Sequence, residues 1–141
     1  MSKMLPFLAA ILAVVLVGTT PAAEPKKENH CKAAAKAAAE CQAQCEACLK
    51  HCNAKVADGK KEHEATAKFC ADCADACKFC AAVCSRGGPL TMHAMACSAK
   101  CCEDCAKSCE TIPDDEAMVA CAKACRECAK CCAEGSKPLD R

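Results

Sequence analysis

The chain has 141 residues, of which 20 are Cys, three are Phe and none is Trp or Tyr. Its formal charge of +1, from 19 basic and 18 acidic residues, provides no basic field for nucleic acid, and without Trp or Tyr there is no stacking platform for bases. The length fits one small domain, and the Cys content exceeds the roughly 8–10% that marks a cysteine-specialised chain.

The first segment reads as an address. Lys3 gives a short positive region, Met4 to Val17 is apolar and uncharged, and Gly18-Thr19-Thr20-Pro21-Ala22-Ala23 supplies a breaker and small residues. This pattern predicts a secretory signal peptide over 1–23, cleaved after Ala22 or Ala23. The apolar run is short against the about 20 residues of a transmembrane helix, so no membrane anchor is expected after cleavage. There is no twin Arg, which points to Sec-type export, to the periplasm or out of the cell. No Cys sits at the cleavage site, which argues against a lipoprotein anchor. All twenty Cys lie in the mature part, from Cys31 to Cys132.

Breakers then divide the chain. Asp58-Gly59, Gly87-Gly88-Pro89 and Thr111-Ile112-Pro113-Asp114 separate segments rich in Ala, Lys, Glu and Gln, and Gly135 with Pro138 ends the pattern. These are good helix formers, and the segments predict helices over about 29–56, 61–85, 90–110 and 114–133. Pro89 and Pro113 stand near helix starts, where a missing N–H costs little. Short turns between long helices favour antiparallel neighbours. The expected fold is all-α: an antiparallel up-down-up-down four-helix bundle over 24–135, followed by a tail over 136–141. Alternation is absent and β-branched residues are sparse, so strands are not expected.

The thiols follow the helical period. The first helix carries Cys41, Cys45, Cys48 and Cys52, and its register runs back through Ala38 and Ala34 to Cys31. The second carries Cys70, Cys73, Cys77, Cys80 and Cys84, and runs back to Thr66 and His63. The third has Cys102, Cys105 and Cys109 in one row with Cys97 and Cys101 beside it, so a wider stripe is expected there. The fourth carries Cys121, Cys125, Cys128 and Cys132, with Met118 one step before. Steps of three and four place side chains on one face, where a bundle normally holds Leu and Ile. Cys131 lies about 80–90° off the stripe of its helix, at 100° per residue, and is expected as a peripheral ligand or free thiol.

What is missing supports the same reading. After Ala23 the Leu, Ile, Val and Phe residues number nine: Leu49, Val56, Phe69, Phe79, Val83, Leu90, Ile112, Val119 and Leu139. Nine such side chains cannot fill four helices. A buried Cys behaves as a small hydrophobe, so a core made of Cys is thin and invites a filling.

Export and an even Cys count ordinarily mean a disulfide scaffold. Such scaffolds are loop-rich, whereas these Cys lie on helices, and bridges three or four residues apart close loops too short to gain much. A disulfide-stapled structural bundle remains one alternative. A thiol oxidoreductase would use Cys45/Cys48, Cys70/Cys73, Cys77/Cys80, Cys102/Cys105 or Cys125/Cys128, but a reactive pair wants a helix N-terminus and an exposed thiolate. Iron–sulfur runs are absent. Thiolate-only surroundings otherwise select Cu(I) or Zn. Four thiolates on one Zn2+ leave a net charge of −2, and a dry core resists charge. Two-coordinate Cu(I) with shared sulfurs is neutral at one ion per thiolate, so filling should approach about one Cu(I) per seam Cys. A zinc or other soft-metal buffer is the second alternative.

The segment Cys48-Leu49-Lys50-His51-Cys52 resembles the C-L-x-H-C stretch of the copper storage proteins, Cys-lined four-helix bundles that hold many Cu(I) ions. The run from Cys121 to Cys132, with Cys125, Cys128 and Cys131 between, is similar to their last helix. The resemblance covers about 30–134. It implies a non-enzymatic Cu(I) store, and it gives His51 the role of the bundle-mouth histidine where copper is admitted. The sequence departs from that pattern in having no Met between Asn53 and Lys61. Its leader is Sec-type rather than twin-Arg, so copper would be loaded after export.

Up-down-up-down topology gives the mouth independently. One rim collects His51, Cys52, His63, Cys109 and Met118, where soft or borderline ligands could pass Cu(I) inward. The opposite rim collects His30, Cys31, Cys84, Met92, His93, Met95 and Cys132, and is also open to that role, although Met92 and His93 project off the stripe. The partners implied are copper ions, a copper chaperone or copper enzyme for exchange, and a second copy of the chain, since a narrow bundle makes self-association reasonable.

Overall fold

The computed structural model describes residues 25–137. The signal-peptide reading over 1–23 and most of the tail, Leu139 included, lie outside them. Four helices follow in order: α1 (Pro25–Ala57), α2 (His63–Arg86), α3 (Thr91–Glu110) and α4 (Glu116–Gly135). No strand occurs among the described residues.

The helix bounds differ from the expected ones for local reasons. Pro25 opens α1 at its first position, earlier than expected, where its fixed φ suits the helix. The start of α2 moves to His63 because Lys60 and Lys61 are spent on turns: the His63 and Glu64 amides bond the Lys60 and Lys61 carbonyls at 3.2 and 3.0 Å. The start of α4 moves to Glu116 because Asp115 is an N-cap. Its backbone is extended (φ −106°, ψ 112°) and its carboxylate accepts the Ala117 amide at 3.0 Å. Gly87 ends α2 in the left-handed region (φ 61°, ψ 34°), which a residue with a Cβ adopts only with strain.

The helices form a ring in which each packs on its two chain neighbours, and α1 closes against α4. Antiparallel order is visible in the contacts. Cys52, near the end of α1, meets Met118, near the start of α4, at 3.9 Å. Thr66, early in α2, hydrogen-bonds Ser108, late in α3, at 2.9 Å between hydroxyls. On the surface Arg126 of α4 makes a two-pronged ion pair with Glu110 of α3, at 2.9 and 2.7 Å. Glu28–Lys32, Glu64–Lys68 and Lys100–Asp104 tie turns within single helices. Such exposed pairs contribute little each.

The distribution of side chains inverts the usual bundle. Phe69, Phe79, Leu90 and Val119 are 42–54% exposed, while the apolar interior is made of Cys and Ala with Val83, Met95 and Met118. The interior is therefore sulfur, as the stripe predicts. No helix of the described residues is long and apolar enough to cross a membrane.

Candidate metal centre

Seventeen cysteines are buried, and all twenty are free thiols. The buried set contains Cys31, Cys41, Cys45, Cys48 and Cys52 of α1; Cys70, Cys73, Cys77, Cys80 and Cys84 of α2; Cys102, Cys105 and Cys109 of α3; and Cys121, Cys125, Cys128 and Cys132 of α4. Cys131 is half-buried at the edge of α4, where its period puts it. Cys97 and Cys101 do not join the core: Cys97 is exposed and Cys101 half-buried. The wide stripe expected on α3 is therefore a single inward row. The positions one turn further along that row are held by Ser98 and Met95, both fully buried.

The sulfurs stack along the bundle axis. Nearest the α1 end that carries His51, Cys48, Cys70, Cys109 and Cys121 bring their Sγ atoms within 4.8 Å of one another. Deeper come three more groups of the same kind: Cys45, Cys105, Cys121 and Cys125; Cys41, Cys45, Cys73 and Cys125; and Cys41, Cys77, Cys102 and Cys128. Consecutive groups share members, so the array is continuous. Individual separations bear this out. Cys45 to Cys125 is 3.6 Å, Cys41 to Cys125 is 3.7 Å, Cys73 to Cys102 is 3.6 Å and Cys77 to Cys102 is 3.5 Å. Beyond Cys77 the thiols come mainly from α2 and α4, with Cys80 to Cys132 at 3.9 Å. Ala34 and Ala38 of α1 and Ser98 of α3 hold the corresponding places, and the Ser98 hydroxyl lies 3.5 Å from the Cys77 sulfur.

Close packing makes these thiols titrate together. Hydrogen bonding among neighbours drives adjacent groups in opposite directions. Cys41 and Cys121 are pulled below the ordinary thiol value, first by contacts with Cys102 and Cys105 respectively. Cys70 and Cys125 are pushed above it, first by contacts with Cys105 and Cys102 respectively. One thiolate is thus stabilised while its neighbours keep their protons. A metal cation bound here would replace those protons and remove the conflict.

The two ends differ. At the α1 C-terminal end the His51 Nε2 lies 2.7 Å from Asp115 Oδ2, and the His63 Nε2 lies 3.2 Å from the same oxygen. The imidazoles stand edge to face, 6.1 Å between centroids. Burial of the Asp115 carboxyl opposes its ionisation, but the hydrogen bonds from His51 and His63, the His51 charge and the Ala117 amide outweigh it and hold its pKa well below the ordinary carboxylate value. His63 is 3% exposed, and its Nδ1 has no hydrogen-bond partner, the Glu62 carboxylate standing 3.9 Å away. Directly inside, Cys52 meets Met118, and burial raises the Cys52 thiol to about 12. A surface depression bounded by Lys55, Lys60, Glu62 and Asp114 leads to His63 and Asp115. The other end is shut by Met95, 1% exposed, against the Gly135 backbone: a Cβ there would come within 2.7 Å of the Met95 sulfur. Met92 is half-buried and His93 exposed, as their register implies.

The sequence reading missed two residues. Asp115 joins His51 and His63 because the N-cap turns its carboxylate over that end of the bundle, and an Asp just before an amphipathic run is an N-cap signal. Ser98 stands four residues before Cys102, in step with that row, and only its being a hydroxyl hid it.

The family model for copper storage proteins matches residues 22–137. No curated protein matched the chain.

Proposed function

The chain belongs to the copper storage protein family, and from that membership we propose that it holds copper as Cu(I), about one ion per buried thiolate, inside the bundle. The observation that supports this stoichiometry is the continuity of the array. Sulfurs shared between successive groups suit bridging, two-coordinate ions, and equal numbers of Cu+ and thiolate leave a dry core without net charge. The role is storage rather than catalysis: nothing in the array needs to turn over, and the thiols act as ligands.

A zinc reading draws on one observation, the four groups of four sulfurs, since four is the ligand number of a structural zinc site. The two readings separate by titration. Reduced full-length protein, kept anaerobic and titrated with Cu(I) against a Cu(I) chelator, should saturate near 17 ions, the number of buried thiols. Zinc should saturate near four, the number of tetrads. Copper saturation at only a few ions would overturn the storage reading.

The mouth in this reading is the rim of His51, His63 and Met118, with Asp115 orienting both rings. It is supported by the depression above His63 and by the Met95 plug at the opposite end. His51→Ala combined with His63→Ala should slow copper uptake several-fold while capacity stays within about one or two ions, since the thiolate array is untouched. A matching fall in capacity would make these residues storage ligands instead. The leader over 1–23 fits Sec-type export and loading of copper in the periplasm or outside the cell, and a copper chaperone or copper enzyme would complete the exchange.

A further inference from the structure

Three thiols lie outside the buried array, Cys131 on α4 and the pair Cys97 and Cys101 on α3. The pair sits one turn apart on the outer side of α3, Cys97 exposed and Cys101 half-buried. Residues four apart on a helix have Cβ atoms about 5–6 Å from one another. Within the core that spacing can bring sulfurs together, as in Cys41 to Cys45 at 3.9 Å, Cys80 to Cys84 at 3.8 Å and Cys128 to Cys132 at 3.9 Å. The outer pair has the same spacing with water on one side. The neighbouring Lys100 ammonium is paired with the Asp104 carboxylate at 2.6 Å, which leaves the two thiols as the soft ligands of this stretch of α3.

We propose that Cys97 and Cys101 form an external two-thiolate site for a single soft monovalent cation, Cu(I), held apart from the core. Binding displaces both thiol protons to water, leaves the sulfurs at their oxidation level, and yields a bis-thiolate carrying a net charge of −1. That charge is costly in a dry core but is tolerated at a wet surface. Two ligands suffice for Cu(I), and an open flank lets a third, incoming thiolate displace it without passing through the bundle. The site is thus suited to rapid exchange with a donor or acceptor, while the core keeps its ions. The inference rests on the copper reading for the identity of the ion alone.

The test compares full-length protein with its Cys97→Ser/Cys101→Ser variant. Both positions lie outside the inward row of α3, so the variant keeps that row. Each reduced protein is filled anaerobically with Cu(I) supplied as its acetonitrile complex, freed of unbound metal, and mixed with excess Cu(I) chelator. The parent should release about one equivalent in a fast phase ahead of the bulk. The variant should lack that phase, bind about one ion fewer, and release the rest at an unchanged slow rate. A fast equivalent persisting in the variant, or equal capacity in the two proteins, would overturn the external site while leaving storage intact. A single variant-sensitive ion with no slow bulk would support the external site and overturn storage.

Discussion

Filled with Cu(I), the reduced protein should melt tens of degrees above its metal-free form. Apart from Val83, Met95 and Met118, the metal-free core consists of small groups. Burying a Leu or Phe contributes about 1.5–3 kcal/mol, and here the large apolar side chains Phe69, Phe79, Leu90 and Val119 are on the outside. Ala, Lys and Glu supply helix propensity, so the empty bundle should be helical but weakly held. An ion that binds only the folded state adds about 4 kcal/mol when present at a thousand times its dissociation constant. Each kcal/mol moves the midpoint by roughly 2–8 °C in a domain of this size. Several ions tying four helices together therefore shift melting far more than any surface ion pair could. Anaerobic melts followed by circular dichroism, at zero, half and full loading, measure it. Coincident midpoints at all three loadings would place the metal somewhere other than between the helices.

The bundle was legible because its signal is redundant: each inward position of α2 and α4 is stepped by three or four residues and almost every step is a Cys. Cys97 and Cys101 show where such a signal runs out. Cys101 and Cys102 are neighbours about 100° apart, and the sequence of one helix does not say which of two adjacent rows faces the others. The partner helices decide it, and they choose the row that contains Cys102, Cys105 and Cys109. The cluster at the C-terminal end of α1 was legible through His51, His63 and Met118, each in or beside a thiol row. Asp115 was not, because helix starts are uncertain by a residue or two and that margin decides whether an Asp is a cap or a first-turn surface residue. The closed end was also hidden. Met95 has the same side chain as a soft ligand, and only its packing on Gly135 makes it a plug.

Replacing Cys41 and Cys125 by serine should remove more copper than replacing Cys31 and Cys84. Both pairs delete two thiolates, so a core in which each ion answers to one thiolate independently loses about two ions either way. The structure makes the pairs unequal. Cys41 and Cys125 each belong to two of the four tetrads, and together they enter three of them. Their sulfurs lie 3.7 Å apart, and Cys41 also reaches Cys45 and Cys102, at 3.9 and 3.8 Å. Cys84 closely meets Cys80, at 3.8 Å, near the closed end, and Cys31 belongs to no tetrad. If ions are bridged by shared sulfurs, the central pair should cost about four ions and the end pair about two, because members of one network are not additive. Serine is the right probe. It keeps the size of the side chain while removing the soft ligand, and Ser98 already sits in this core with its hydroxyl 3.5 Å from Cys77. Unchanged helicity of both variants by circular dichroism separates lost ligands from lost fold. Equal losses in the two would mean that the sulfurs are filled one by one, and that the continuity of the array reflects packing of the helices rather than bridging of the metal.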